Sequence, residues 1–174
     1  MILQLETEHL SLRKAKESDL EAIYRNVWSD THLAENMLWK PTETLPEAKE
    51  RMQRTIAYQS KWDAFFICLK ETDEAIGFAG IRENEPGEYE ETGICIASRH
   101  QHKGYGKEVL QALLHLVFDM HHGISFRYGC FHDNEASARL CKSAGFVYTG
   151  TEKRIRDWDQ KEVTIDFYIR EKSI

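Results

Sequence analysis

Gln101-His102-Lys103-Gly104-Tyr105-Gly106-Lys107 is the stretch of this chain whose residue types and spacing suit a chemical task. It follows an apolar, strand-like run, Ile94-Cys95-Ile96-Ala97. It precedes Glu108 to Val117, where apolar residues recur at helical spacing. A strand, a glycine loop and a helix in that order form an anion-binding device. Glycine lets the backbone bring its N–H groups close to a ligand. The helix N-terminus adds unsatisfied donors and a partial positive charge. Arg99, Lys103 and Lys107 surround the loop with full charges, so the expected ligand is a phosphate or pyrophosphate.

Two familiar phosphate loops do not fit. A P-loop needs a hydroxyl residue after Gly-Lys to hold Mg²⁺, and here Glu108 follows Gly106-Lys107; Gln101 also stands where the first glycine belongs. A dinucleotide fingerprint needs a third glycine, and Gly104-Tyr105-Gly106-Lys107-Glu108-Val109 lacks it.

A third loop does fit. Gln101-His102-Lys103-Gly104-Tyr105-Gly106 resembles the Gln/Arg-x-x-Gly-x-Gly/Ala loop of the GNAT superfamily of acetyltransferases. Downstream, Asn134-Glu135-Ala136-Ser137 through Gly145-Phe146 is similar to that family's Asn-x-x-Ser/Ala…Gly-Phe segment, and Glu91-Thr92-Gly93-Ile94 is similar to its Glu-Ile-Gly-Tyr stretch before the loop. Met37 to Pro41 and the C-terminal strand pair resemble the ribosomal-protein (RimJ/RimL-like) alanine N-acetyltransferase branch. The resemblance implies an α/β (α+β) fold with a central mixed, mostly antiparallel sheet of about seven strands. It also implies four or so helices on its two faces, and a cofactor in the V between strands 4 and 5.

It further implies that the chain moves an acetyl group from acetyl-CoA to a primary amine by direct transfer in a ternary complex. The amine would be a peptide N-terminus or a small cationic amine. The loop from Gln101 through His102, Lys103, Gly104, Tyr105, Gly106 and Lys107 would grip the pyrophosphate, with Arg99 nearby. Pantetheine would run along Ile94 and Ile96, and the N–H near Ile94 would polarise the thioester carbonyl. An amine with a pKa of about 10.4 arrives protonated and needs a base. Glu91 is the candidate and Glu90 its alternative, because successive strand side chains face opposite ways. Asn134 would bond the pantetheine, or act as a plain helix N-cap. Ser137 would bond the departing sulfur, and Arg139 would lie toward the 3′-phosphate. Cys141 stands where many relatives have a tyrosine acid, which leaves open a non-catalytic CoA-binding or regulatory module of the same fold. Trp39, in an apolar loop, is the candidate wall of the acceptor site.

The remaining expectations are bounds. At 174 residues the chain suits one domain, 1–174. A net charge of -6 argues against nucleic acid as partner. Cys68, Cys95, Cys130 and Cys141 show no paired spacing, so free thiols and a cytoplasmic setting are expected. There is no long apolar run or signal pattern, which argues against a membrane. His100-x-His102 and His121-His122 lack a third ligand at supporting spacing, so no metal is expected; they read as surface histidines, with His100 and His102 placed to line the phosphate loop. A monomer or homodimer fits equally. Capping boxes are expected at Ser18–Glu21 and Thr44–Glu47, with helices following each.

Overall fold

A computed structural model describes residues 4–172. Eight strands form one sheet in the order β1-β2-β3-β4-β5-β6-β8-β7. They are β1 Gln4–Glu6, β2 Leu10–Arg13, β3 Ala64–Leu69, β4 Ala75–Glu85, β5 Glu88–Ile96, β6 Ser125–Phe131, β7 Val147–Ile155 and β8 Glu162–Glu171. Neighbours are antiparallel except β5 and β6, which run parallel. The helices are α1 Leu20–Ile23, α2 Thr31–Glu35, α3 Leu45–Gln59, α4 Tyr105–His115 and α5 Glu135–Ser143. Four of the five pack as two pairs, α1 with α3 and α4 with α5.

The expected mixed sheet is present, with one strand more than anticipated. The addition is β1, which folds back on β2 through a turn closed by the Leu10 N–H donating to Thr7 Oγ1 at 3.0 Å. It shifts the count, so the expected V lies between β5 and β6. It also makes β2 an internal strand, with the polar Ser11 and Arg13 buried along with Leu10 and Leu12.

The V has a local cause. β5 and β6 pair only from Glu88↔Ser125 to Glu90↔Arg127. On the other side of β5 the register to β4 shifts from Ile81↔Glu91 to Ala79↔Ile94. Thr92 and Gly93 therefore face Gly80 alone, a β-bulge that bends and twists the strand. Gly93 takes φ 119, and a Cβ on Gly80 would lie 2.7 Å from Thr92 Oγ1. The two glycines that weaken β4 are there for close approach. A Cβ on Gly77 would sit 2.1 Å from the Cys95 carbonyl oxygen.

The Thr44 capping box is as expected: Thr44 Oγ1 accepts from the Glu47 N–H at 3.4 Å and Glu47 Oε2 accepts from the Thr44 N–H at 3.3 Å. The first box is not. Asp19 rather than Glu21 reaches back, accepting from the Lys16 N–H at 2.8 Å, because Asp19 also faces the buried Arg13 at 2.8 Å. Helix α2, capped by Asp30, was hidden by the lack of apolar period. After α4 the chain makes a π-helical turn, Leu116–Met120. The extra residue per turn buries Leu116 and Phe118 and leaves Met120 40% exposed, against the plain helical spacing. His122, at φ 57, is left-handed just after that turn. His121 is not a surface residue: it pairs with Asp63 at 2.7 Å and stacks on Tyr89. All four cysteines are free and buried.

Candidate active site

Beyond Glu90 and Arg127 the two strands separate, and the gap opens into two connected cavities. The one toward α4 is about 290 Å³ and is lined by Ile94, Ile96, Gln101, His102, Gly104, Tyr105, Gly106, Asn134 and Ser137. Ala97 donates its N–H to the Ile76 carbonyl on the β4 side at 2.8 Å. Strand backbone alternates, so Ile94 and Ile96 turn their own N–H and C=O groups to the open edge. Gln101 Nε2 donates to the Ile96 carbonyl at 3.0 Å and ties the loop to that edge. His102 at φ 60 and Gly104 at φ 84 are both left-handed, and Gly104 is the N-cap of α4. Left-handed residues alternating with ordinary ones turn successive amides inward, the geometry of an anion nest.

The charges expected around the loop are differently placed. Arg99 pairs with Glu74 at 2.5 Å, and Arg139 pairs with Glu135 at 3.0 Å on an exposed helix face. Lys103 and Lys107 are exposed. None of the four lines the cleft, so the surface of the cavity toward α4 is backbone and side chains other than Lys, Arg, Asp and Glu. His100 lines it beside His102, with Nδ1 buried and without a partner among the described residues. Burial first, then Arg99 and Lys103, pull its pKa down, and its Nε2 accepts from Arg99 Nε at 3.2 Å.

The second cavity, about 520 Å³, holds Glu90, Glu91, Trp39, Tyr128, Asn134 and Ser137. Glu91 spans the split. Its Oε2 accepts from the Gly93 N–H at 2.5 Å on its own strand, and its Oε1 accepts from the Gly129 N–H on β6 at 3.3 Å. Burial pushes this carboxyl up to about 7 against the pull of those two amides, with Glu90 adding a little. Glu90 lines the same cavity, since the bulge breaks simple alternation, but it is paired with Arg82 at 2.6 Å. Only Glu91 is both near neutrality and without a cationic partner.

On the opposite wall, Asn134 Oδ1 accepts from the Ser137 N–H at 3.1 Å, the N-cap of α5. Ser137 Oγ is 2.6 Å from the Tyr128 hydroxyl. Tyr128 was missed in the sequence. It is 4% exposed on β6, and burial, with Glu91 next, holds its hydroxyl protonated well above the ordinary tyrosine range. The signal was there: alternation along Ser125–Phe131 buries Phe126, Tyr128 and Cys130, and a buried tyrosine needs a partner for its hydroxyl. Cys141, by contrast, is core. It is fully buried, its Sγ contacts the Ala138 carbonyl at 3.3 Å, and burial pushes its thiol up to about 12.

Trp39 reaches the cleft because its loop is fastened from far along the chain. Arg156, at the end of β7, donates through Nη1 to the carbonyls of Ala34 (3.2 Å), Glu35 (3.2 Å) and Met37 (3.1 Å) and pairs with Asp159 at 2.6 Å. Among the described residues no group of three or more His, Cys, Asp or Glu could hold a metal ion, and no helix is long and apolar enough to cross a membrane.

Comparison with known proteins agrees with this geometry. Residues 9–147 match the family model described as an acetyltransferase (GNAT) domain. The chain is 28% identical over 170 residues to the uncharacterized N-acetyltransferase p20 of Bacillus licheniformis, covering 95% of this chain and 93% of that protein. It is 24% identical over 168 residues to the ribosomal-protein-serine acetyltransferase of Escherichia coli, covering 94% and 93%. In fold it is similar to the RimL ribosomal alpha-N-protein acetyltransferase in complex with coenzyme A. That match has a TM-score of 0.79, 22% identity, and 97% of each chain covered. A strand split by a bulge, a left-handed glycine loop on the following helix and a match over most of the length lead to one assignment: the chain belongs to the GNAT acetyltransferase family.

Proposed function

We propose that the whole chain acts as one acetyl-CoA-dependent N-acetyltransferase domain in the cytoplasm, acetylating the N-terminal amine of a protein or peptide. The observation that carries this reading is Glu91, placed where the two strands part and raised to about 7. Moving a proton from an amine of pKa about 10.4 to an ordinary carboxylate is uphill by about 8 kcal/mol. Against Glu91 that falls to about 5 kcal/mol, and for an α-amine of pKa about 7.7–8.0 to about 1 kcal/mol. Glu91 therefore suits an α-amine better than a lysine-like one.

In the proposed sequence the ammonium gives its proton to Glu91, directly or through water. The freed nitrogen attacks the thioester carbon, whose oxygen takes up the negative charge at the Ile94 N–H. As the C–N bond forms and the C–S bond breaks, the nitrogen sheds its second proton and the thiolate gains one. The Ser137–Tyr128 hydroxyl pair passes that proton across so that both hydroxyls end protonated, while Glu91 gives its own proton to water. Tyr128 thus fills the role left open by Cys141. Gln101 to Gly106 hold the pyrophosphate by backbone donors, Asn134 orders the far wall, and Trp39 bounds the acceptor side. Arg99, Lys103, Lys107 and Arg139 are left with long-range attraction of the polyanion.

Free-thiol release from acetyl-CoA with a panel of peptides and amines tests the whole reading. Acetylation of peptide N-termini supports it. Coenzyme binding with no turnover on any amine would favour the regulatory module instead. Tyr128→Phe is expected to lower kcat about tenfold or more while leaving the KM for acetyl-CoA within about twofold, at the low end for a lost proton donor. An equal kcat would remove Tyr128 from the mechanism.

A further inference from the structure

Between α3 and strands β3 and β4 lies a cavity of about 650 Å³ that the proposed transfer does not use. Trp39, Tyr58, Phe78 and Thr92 line it and the acceptor cavity alike, and Thr92 is the residue after Glu91. It is the far end of the acceptor cleft.

Its distinctive group is Arg51. The guanidinium sits between the Trp28 and Trp39 rings, 4.7 and 4.9 Å from their centroids. Nη1 donates to Thr42 Oγ1 at 3.0 Å and to the Lys40 carbonyl at 3.4 Å. Both bonds use the same nitrogen, which leaves Nε and Nη2 free of protein partners. Among the described residues Arg51 has no ion pair. The acids at the rim are engaged elsewhere: Glu47 accepts from the amides of Glu43 (3.0 Å) and Thr44 (3.3 Å), and Glu50 lies 3.9 Å from Arg54. Burial pulls the Arg51 pKa down to about 10, and the neighbouring charge of Arg54 works in the same direction. The Trp39 indole N–H on the same cavity is buried and also unpartnered.

Two aromatic faces recover part of the cost of withdrawing a guanidinium from water. They do not satisfy in-plane donors. A rivet that merely fastened the Lys40–Thr42 loop to α3 would need no open N–H groups beside a cavity. A planar fork with free donors matches a carboxylate in two-point contact. A polyamine or aminoglycoside would instead bring cations against Arg51 and Arg54.

We propose that this cavity binds a carboxylate of the acceptor, so that the preferred acceptor is an acidic amino compound whose amine reaches Glu91 while its carboxylate reaches Arg51. The inference rests on the reading of Glu91 as the amine end of the cleft. The carboxylate could belong to an acidic side chain of a peptide or to a free amino acid.

Two matched pairs separate these sources: the peptide amides Ala-Glu-Ala and Ala-Gln-Ala, and free glutamate against glutamine. A charge-assisted contact of about 1.5–3 kcal/mol predicts a kcat/KM ratio of roughly 10 to 100 in favour of the carboxylate in one pair. In Arg51→Gln that ratio falls toward one because the carboxylate arm loses activity, while Arg51→Lys keeps charge without the fork and falls in between. A ratio near one in both pairs for the wild type, or one that survives in Arg51→Gln with native circular dichroism, overturns the proposal. Should no compound be acetylated, the enzyme reading is in question, and binding decides this one. Glutarate titrated against the intrinsic tryptophan fluorescence should give a saturable change that is absent in Arg51→Gln; no saturable change in the wild type sinks it.

Discussion

Glu91→Gln is expected to lower kcat by roughly 10²- to 10³-fold, within the span for a lost general base. In the wild type kcat/KM should climb with pH and level off above about 7, as the Glu91 carboxyl gives up its proton. The variant should lose that limb along with its rate. Stability should move the other way. The folded carboxyl, at about 7, holds its proton over a range where the unfolded one, near 4.5, has already lost it. The folded state thus binds more protons between those values, and stability falls as pH rises through the window, by about 3 kcal/mol in all. Glutamine carries no such penalty. Denaturant melts should therefore show the variant close to wild type at pH 5 and more stable at pH 8. Glutamine has one accepting oxygen where Glu91 has two, so it loses the bond from either the Gly93 or the Gly129 N–H, and the gain will fall short of the full figure. An unaltered pH–rate profile would return the base role to Glu90 or to water.

Gly104→Glu is expected to weaken acetyl-CoA binding by about 2–4 kcal/mol, roughly 30- to 1000-fold, from a like charge set against the pyrophosphate at protein-surface dielectric. The fold should survive it. A Cβ at Gly104 meets nothing within 4 Å, so the cost to the folded state is the left-handed φ of 84 alone, about 1–2 kcal/mol. Gly104→Ala carries the same backbone penalty without charge, and should lose much less affinity. Calorimetric titration with acetyl-CoA compares the three. Equal losses for alanine and glutamate would mean that loop conformation, not charge at a phosphate site, is what Gly104 protects. Unchanged affinity in the glutamate variant would remove the phosphate assignment altogether.

Both predictions concern residues visible in the sequence, but they were visible to different depths. Gly104 could be read outright, because a left-handed cap before a helix is a demand of the local backbone. The same holds for Asn134 as N-cap of α5 and for the Thr44–Glu47 box, whose partners lie within a few residues. Glu91 was legible only as one of two. Choosing it needed Arg82, which neutralises Glu90 from the neighbouring strand, and Gly129, which meets Glu91 from across the split. The strand count missed β1, which is short and lies beside a turn. Beyond Val117 the helical spacing does not carry on to Met120, because a π turn inserts a residue that periodicity cannot see.

The chain's sequence by itself determined the order of elements, the glycine loop before α4 and the family, since these depend on glycine conformations, caps and apolar spacing that act over one or two turns. Only the tertiary structure decided the chemistry at the split. The bulge that opens the V needs Gly80 opposite Thr92 and Gly93. The proposed proton donor pairs Tyr128 on β6 with Ser137 on α5. Trp39 is held in place by Arg156, and Arg51 owes its open donors to where two tryptophans, distant in the chain, come together. A carboxyl's pKa and a guanidinium's need for a partner are set by burial and by neighbours in space, and those neighbours exist only once the sheet has formed.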